Sequence, residues 1–275
     1  MKGIDVSYAQ GSINWDDVSE DFAIVKASQG RLLKNPSSGA FPDPYFRENM
    51  TGAARARIPV GVYHYLCAKN EAEAVEEARY FVNLIRPYKA VIALWAAVDV
   101  EEEAFLPKDK QTLTRIVYAF CKVVKAAGFK PMVYTNPNYL TYRLNDISHW
   151  DLWLAYWGVP EARAMRYKAK IWQYGVGRTD GIRSDVDMNM GYFELPERSV
   201  TNVSASESGE TLSRGMRVRV KDNRVYGTQN RFVAYVDEYD VLDVRGDRVV
   251  IGIIGKNGSR DLITAAVRKG DVEPV

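Results

Sequence analysis

The stretch Val91-Ile92-Ala93-Leu94-Trp95-Ala96-Ala97-Val98-Asp99-Val100-Glu101 indicates the fold of this chain most directly. It is almost wholly apolar until it reaches its last three residues, which is typical of a buried strand in a parallel sheet. Asp99 and Glu101 are two residues apart, so their side chains point to the same side of the strand. A buried strand that ends in two acids on one side predicts a functional site at that end of the sheet.

Similar apolar runs recur along the first 195 residues and alternate with helical patterns. Strands that alternate with helices favour a mostly parallel sheet, and eight of them favour closure into a barrel. An ordinary barrel of this kind needs about 250 residues, so some helices must be short or missing. The predicted fold class is therefore α/β, a shortened and irregular TIM-like barrel. Its predicted strands are 3–6, 22–27, 60–65, 91–100, 132–135, 152–156, 171–174 and 186–190, and its clearest helices are 70–86 and 110–127, the second ending at Gly128.

The sequence changes character after residue 195. Residues 196–213 are rich in Ser, Thr, Asn and Glu and lack an apolar period, which is typical of a linker. Residues 214–275 then alternate apolar and polar positions in short runs with Gly or Asn-Gly between them, which predicts a small all-β unit. We therefore expect a catalytic barrel at 1–195, a linker at 196–213 and an all-β module at 214–275.

Composition excludes several classes of function. The 275 residues carry 37 basic and 35 acidic side chains, and a formal net charge of +2 gives no field for gripping nucleic acid. No apolar run is long enough to span a membrane, so no membrane insertion is expected. Only two cysteines and two histidines are present, without a metal-binding spacing, so neither a metal nor another cofactor is predicted.

Acids also follow or flank other predicted strands. Asp5 ends the first apolar run, and Asp187 lies in the last one. Because the carboxyl ends of parallel strands open onto one face of a barrel, these acids should converge with Asp99 and Glu101. Like charges and burial raise the pKa of clustered carboxyls, which yields a protonated acid beside ionised neighbours, as glycoside hydrolysis requires. Any single acid could instead cap a helix or form an ion pair, and spacing alone does not choose among the acids of the run 101–103.

The same segments resemble glycoside hydrolase family 25, the muramidases of the bacterial and bacteriophage lysozyme type. The resemblance covers residues 3–193, and its pieces occur in the family order. They are Gly3-Ile4-Asp5-Val6-Ser7, Lys26-Ala27-Ser28-Gln29-Gly30, Val60-Gly61-Val62-Tyr63-His64-Tyr65, Asp99-Val100-Glu101, Met132-Val133-Tyr134-Thr135, Leu152-Trp153-Leu154-Ala155 and Val186-Asp187-Met188-Asn189.

This resemblance implies hydrolysis of the β-1,4 bond from N-acetylmuramic acid to N-acetylglucosamine in peptidoglycan. It implies that Glu101 is the general acid and that Asp99 orients or stabilises the substrate acetamido group, if that group attacks the anomeric carbon. Direct attack by a water remains the alternative. Asp5 and Asp187 would hold substrate or tune the pKa of Glu101. Gln29 departs from the family, in which many members have a glutamate.

Aromatic side chains near the strand ends are expected to form a floor for sugar rings. Packing in the core or barrel wall is the alternative, with equal weight for Trp172 and more for Trp95, and His64 either faces the cleft or is a packed, hydrogen-bonded residue. The residues predicted to contact substrate are Tyr63, Tyr65, Tyr134, Trp153, Trp157 and Trp172, together with Lys26.

Residues 214–275 resemble the bacterial Src-homology-3-like modules of cell-wall hydrolases, most clearly at Met216-Arg217-Val218-Arg219-Val220 and in the runs 240–249 and 263–272. A module of this kind would bind wall peptides or sugars and keep the enzyme on its substrate; a stabilising or dimerising domain is the alternative. A barrel hydrolase with such a module and no leader segment is the layout of a bacteriophage endolysin. It would be held in the host cytoplasm until it reaches the wall, whereas a bacterial autolysin would have the same activity.

Two rival functions remain at this stage. A barrel that binds wall glycans without cleaving them is disfavoured by the intact pair Asp99 and Glu101. A cysteine peptidase or amidase with Cys67 as nucleophile and His64 as base has no supporting resemblance.

Overall fold

The computed structural model describes residues 1–30, 40–89, 91–102, 107, 109–195, 212–228, 230–232, 236, 238–253 and 262–275. The chain divides into two compact units, Met1–Arg198 and Ser199–Val275. The predicted linker at 196–213 lies outside the described residues except for its last two.

Eight strands of the first unit close into a barrel. They are β1 (Lys2–Val6), β2 (Phe22–Gln29), β4 (Val60–Tyr65), β5 (Ile92–Asp99), β6 (Pro131–Thr135), β7 (Asp151–Ala155), β8 (Ile171–Gly177) and β9 (Val186–Gly191), and a short β3 (Phe41–Pro42) pairs with β2 outside the ring. Their order is β1-β9-β8-β7-β6-β5-β4-β2, and β1 also pairs with β2 to complete the ring. All neighbouring pairs are parallel except those of β9, which runs antiparallel to both β1 and β8. The predicted barrel is thus confirmed, with one reversed strand that the sequence analysis did not foresee.

Among the described residues of this unit, the helices are fewer than in an eight-helix barrel. They are α1 (Phe46–Arg55), α2 (Glu71–Ile85), α3 (Lys110–Ala126) and the four-residue α4 (Glu161–Ala164). The side chain of Asn70 accepts a hydrogen bond from the backbone of α2, and Asp109 does the same for α3, so both predicted long helices begin at a polar cap. Gly128 takes a left-handed conformation with φ of 80°, which lets the chain leave α3. Helix α1 was not predicted.

Side-chain alternation divides each barrel strand into an outer and an inner side. On β5, Ala96 and Val98 pack outward with the helices, whereas Trp95 and Ala97 face the interior. The barrel interior contains an apolar cluster. Its buried side chains are Phe22, Ile24, Leu94, Trp95, Ala97, Met132, Tyr134, Trp153 and Ile171. Because these side chains fill part of the interior, the acids Asp5 and Asp99 lie at or next to the carboxyl ends of their strands.

The second unit is an antiparallel sheet of five strands. They are β10 (Arg217–Val220), β11 (Glu238–Arg245), β12 (Arg248–Ile253), β13 (Leu262–Arg268) and β14 (Val272–Pro274), and they follow the order β13-β12-β11-β10-β14. One side of the sheet covers a small core around Val218, Tyr239 and Val249. The small all-β unit predicted at 214–275 is thus present. Within the described ranges, the helices are all too short or too polar to cross a membrane.

Candidate active site

The four predicted acids lie together at the carboxyl end of the barrel. Asp5 of β1 is directly opposite Asp187 of β9, because the reversed β9 begins where β1 ends. Asp99 is the last residue of β5, and Glu101 follows it on the same side. The charge of Asp187 raises the pKa of both Asp5 and Glu101, so these groups are within electrostatic reach of one another.

Asp5 is held by two side-chain amides on a single oxygen. Its Oδ2 atom accepts a hydrogen bond of 2.9 Å from Nε2 of Gln173 and one of 2.7 Å from Nδ2 of Asn189. All three residues are buried. Because Oδ2 is occupied by donors, a proton bound to Asp5 must sit on Oδ1.

Two tryptophans fix the orientation of those amides. An indole N–H can only donate, so an amide beside it must present its oxygen. Trp157 donates to Oε1 of Gln173 at 2.9 Å, and the hydroxyl of Tyr134 donates to the same oxygen at 3.0 Å. Trp153 donates to Oδ1 of Asn189 at 2.8 Å. Each amide therefore turns its nitrogen toward Asp5.

Burial raises the pKa of every acid in this set, and repulsion between carboxylates adds to the rise for Asp5, Asp99 and Glu101. Desolvation and the charge of Asp187 raise the pKa of Asp5 to about 8. Desolvation and the charge of Glu101 raise the pKa of Asp99 well above its ordinary value. The pKa of Glu101 is raised by burial and by Asp187, against the opposing charge of Lys26, and burial also raises the pKa of Asp187. The site therefore holds protonated carboxyls near neutral pH.

Asp99 and Glu101 differ in their partners. Oδ1 of Asp99 is buried and has no hydrogen-bond partner within the described part of the chain. The nearby Tyr134 side chain opposes the rise in the pKa of Glu101. Next along the chain, Glu102 accepts a 2.8 Å hydrogen bond from the hydroxyl of Tyr65, and Glu103 lies outside the described residues.

Lys26 supplies positive charge among these acids. Its Nζ atom donates to Oε1 of Gln29 at 3.1 Å and lies 5.1 Å from the ring centre of Tyr65. Burial lowers the pKa of Lys26, and the charge of Asp99 is the largest effect opposing that shift. Gln29, which departs from the family pattern, thus contributes a neutral acceptor to Lys26 where a glutamate would add another negative charge.

The aromatic predictions divide into two groups. Tyr63 and Tyr134 pack on Trp153 inside the barrel, with ring centres 5.8 and 4.4 Å from its own. Trp157 is 51% exposed beside Gln173, so its ring has a free face.

Trp153 and Trp172 do not have the predicted role. Trp153 is 1% exposed, so no sugar reaches its ring, and its indole instead orients Asn189. Trp172 lies between two inward-facing residues of β8 and points outward, where it packs with Leu154 and Ala164. Their burial argues against direct sugar contact by these two side chains.

The histidine of the rival peptidase hypothesis faces away from the acids, whereas Cys67 lies within electrostatic reach of Asp99 and Glu102. His64 is fully buried on the outer side of β4, 2.8 Å from Oγ of Ser28 and 2.9 Å from Oε2 of Glu77 on α2. Burial and the charge of Glu77 raise the pKa of Cys67 to about 12, which leaves a neutral thiol. A neutral buried thiol is a poor nucleophile, so the structure argues against that reading.

Three polar residues of the site were missed by sequence reasoning. Gln173 and Asn189 stand in apolar strands, where a lone amide signals a buried hydrogen-bond network. Asp43 is buried and accepts hydrogen bonds of 2.9 Å from the backbone N–H groups of both Tyr8 and Tyr45. Its charge also acts on Lys26. No group of three or more potential ligands within the described ranges is arranged to hold a metal ion.

Asp5→Asn should change how stability depends on pH. The pKa of Asp5 is 3.8 in its ordinary state and about 8 in the fold, so between these values the folded state binds a proton that the unfolded state lacks. The stability from this group is thus complete below pH 3.8 and is lost as the pH rises through 8. An asparagine mimics the protonated acid, so the variant should lose less stability on going from pH 5 to pH 8 when unfolded by urea. Asp185→Asn, at an exposed ion pair with Arg178, is the control; equal pH slopes for wild type and Asp5→Asn would contradict the assignment.

Gln173→Leu should raise the pKa of Asp5 further. The hydrogen bond from Gln173 stabilises the ionised carboxylate, so its loss favours the protonated form. Carboxyl-carbon NMR titration of Asp5 measures this change. Gln111→Leu makes the same substitution on the exposed surface of α3 and should leave the titration unchanged. An unaltered midpoint in Gln173→Leu would show that the amide does not act on Asp5.

Comparison with known proteins gives the family. The family model for glycosyl hydrolases family 25 matches residues 4–182. The autolytic lysozyme of Clostridium acetobutylicum is 25% identical over 193 residues, which are 69% of this chain and 55% of that protein. The chain thus spans little more than half the length of this relative.

Two solved structures have the same fold over the first unit. The CTP1L endolysin matches with a TM-score of 0.58 and 26% identity. The match covers 70% of this chain and 66% of the endolysin chain. The autolysin LytC of Streptococcus pneumoniae, in complex with a synthetic peptidoglycan ligand, matches with a TM-score of 0.61 and 27% identity over 70% of this chain and 46% of its own. The family model covers well over half of the chain, including Asp5, Asp99 and Glu101, so this protein belongs to glycosyl hydrolases family 25.

Proposed function

We propose that this protein is a muramidase that hydrolyses the β-1,4 bond between N-acetylmuramic acid and N-acetylglucosamine in peptidoglycan. The observation that carries the proposal is the cluster of acids with raised pKa at one end of a family 25 barrel. The autolytic lysozyme and the ligand-bound autolysin among the similar proteins support peptidoglycan as the substrate.

Glu101 is the proposed general acid. Burial and the charge of Asp187 raise its pKa, which favours the protonated form that a general acid needs. It gives its proton to the glycosidic oxygen as the bond from that oxygen to the anomeric carbon breaks. The resulting Glu101 carboxylate is then able to take a proton from the water that completes hydrolysis.

Asp99 is proposed to receive the substrate acetamido group. Its Oδ1 atom has no partner among the described residues, so it is an open acceptor in a buried position. A hydrogen bond from the acetamido N–H to this atom would satisfy it and turn the acetamido oxygen toward the anomeric carbon. That oxygen attacks as the leaving group departs, and water then opens the cyclic intermediate. The charge of Lys26 opposes the rise in the pKa of Asp99 and so favours the ionised form in this role.

Asp5 and Asp187 are proposed to set the electrostatics of the site. Asp187 is the main charge that raises the pKa of Glu101, and Asp5 in turn has its pKa raised by Asp187. Trp157 offers an exposed ring at the edge of the cluster for a sugar face. The hydroxyls of Tyr63, Tyr65 and Tyr134 line the interior toward the same acids.

Glu101→Gln should abolish cleavage. The loss of a general acid costs about 100-fold to 10,000-fold in rate. Purified protein incubated with Gram-positive peptidoglycan should release muropeptides with new reducing ends at N-acetylmuramic acid, detected by mass spectrometry after borohydride reduction. Glu102→Gln is the matched control, because its neighbouring carboxyl bonds Tyr65 and has no assigned part in the chemistry.

Two outcomes would contradict these assignments. New free amino groups without new reducing ends would show that the protein cleaves peptide bonds and is not a muramidase. Full activity of Glu101→Gln, with unchanged reducing ends, would show that the general acid is another residue. Binding of Glu101→Gln to intact walls should be retained and shows that the variant is folded.

We further propose that the protein is a bacteriophage endolysin, in which the second unit is a Src-homology-3-like module that binds the wall. Similarity to the CTP1L endolysin and the presence of a separate five-stranded all-β unit support this setting. The enzyme would stay in the host cytoplasm until the membrane is breached. Expression in a bacterial host should therefore cause lysis only when a membrane-permeabilising protein is induced as well, measured by culture turbidity. Lysis without permeabilisation would favour an exported autolysin.

A further inference from the structure

Three arginines stand side by side across the sheet of the second unit. Arg245 of β11 is directly opposite Arg248 of β12, and Arg248 is directly opposite Arg268 of β13. Residues directly opposite each other on neighbouring strands point to the same face, and such strands are about 4.8 Å apart. These three residues therefore form one short row of positive charge, which we call the arginine row.

The arginine row lies on the outer face of the sheet. Val249 and Val267, which directly adjoin Arg248 and Arg268 in sequence, are fully buried in the core of this unit. Alternation then directs both arginines to the opposite face. Arg245 and Arg268 are exposed, and Arg248 is half-buried.

Two members of the arginine row, Arg248 and Arg268, differ from the other described arginines of this unit in their lack of partners. Arg217, Arg219, Arg224 and Arg231 form ion pairs with nearby acids, and Arg214 donates to a backbone carbonyl. Within the row, Arg245 pairs with Asp243 at 2.9 Å. For Arg248 and Arg268, no ion pair or side-chain hydrogen bond is present in the described part of the structure.

Such an arrangement has a cost to the fold. Like charges directly opposite each other on neighbouring strands destabilise a sheet. An acid beside Arg248 or Arg268 would remove that cost, as acids do for Arg217 and Arg219. A bound anion would remove this repulsion equally well, and the repulsion would then be relieved only in the complex.

We propose that the arginine row binds a phosphodiester polymer. Guanidinium groups match phosphate oxygens with two parallel hydrogen bonds, so adjacent arginines suit successive phosphates of one chain. That the natural polymer is an anionic component of the bacterial wall rests on the proposed function. Nucleic acid shares this chemistry, but the net charge of the whole chain is only +2 and Asp243 lies beside the row, so a long duplex meets little additional attraction.

The full chain and its Arg248→Gln/Arg268→Gln variant should differ in affinity for purified polyglycerol phosphate. Isothermal titration calorimetry at low salt should give a Kd at least 10-fold weaker for the variant, and added salt should weaken the wild-type complex. Arg217→Gln/Arg224→Gln removes the same charge from ion-paired arginines and should bind like wild type. Arg248→Lys/Arg268→Lys keeps the charge but loses the paired hydrogen bonds, so its affinity should be intermediate. Equal losses in the two glutamine variants would overturn the proposal, because net charge alone would then explain binding.

Further probes identify the ligand class. Poly-L-glutamate and duplex DNA should bind at least 10-fold more weakly than polyglycerol phosphate; equal or tighter binding of either overturns the choice of polymer. Thermal unfolding of Arg248→Gln/Arg268→Gln should be unchanged or raised, since a repulsion is removed, and this result excludes misfolding as the cause of lost binding.

Walls stripped of phosphodiester polymers with hydrofluoric acid separate this proposal from the muramidase activity. Wild type and Arg248→Gln/Arg268→Gln should digest these stripped walls at the same rate, whereas the variant should be slower on untreated walls. Equal rates on untreated walls would count against the row, and a failure of both proteins to digest either wall would count against the muramidase alone.

Discussion

The structure depends on the placement of several carboxyls in the barrel without a matching number of cations. Asp5, Asp43 and Asp99 are buried, Glu101 and Asp187 are half-buried, and Lys26 is the buried cation that acts on Asp99 and Glu101. The free energy needed to ionise all of them in such a place is large, so protons are retained. The same repulsion that makes the site costly to the fold gives it an acid that stays protonated near neutral pH.

The remaining side chains reduce this cost in a directed way. Amides from β8 and β9 meet on one oxygen of Asp5, and each amide is oriented by an indole from another part of the barrel. A tryptophan therefore contributes to the site even where it does not reach the cleft, as Trp153 illustrates. Below this level the barrel interior is apolar and packed, which leaves the open end as the place where a sugar chain meets the acids.

Much of this arrangement follows from the sequence of single strands. Alternation along β5 was sufficient to predict that Asp99 and Glu101 share a side, because side chains two residues apart in a strand point the same way. The role of Glu101 came from a resemblance to family 25 and not from spacing, since Glu102 follows it directly. Its assignment as the acid remains a prediction that the geometry supports.

The failures have equally specific causes. Trp172 was given equal weight as a cleft and as a core residue because it is near a strand end, and it points outward because it lies between inward-facing Ile171 and Gln173. The reversal of β9 was not foreseen, although only residues 178–185 connect it to β8, and a parallel crossover needs about a dozen. Gln173 and Asn189 were missed because an amide in an apolar strand shows its purpose only when the strands that supply its partners are known.

A crystal structure of Glu101→Gln with a bound peptidoglycan fragment tests the central claim most directly. We expect the glycosidic oxygen to lie about 3 Å from the amide that replaces the Glu101 carboxyl in this variant. We also expect the acetamido N–H of the adjoining sugar to donate to Oδ1 of Asp99. A fragment bound elsewhere on the barrel, with Asp99 Oδ1 still unpartnered, would contradict the proposed roles of Glu101 and Asp99.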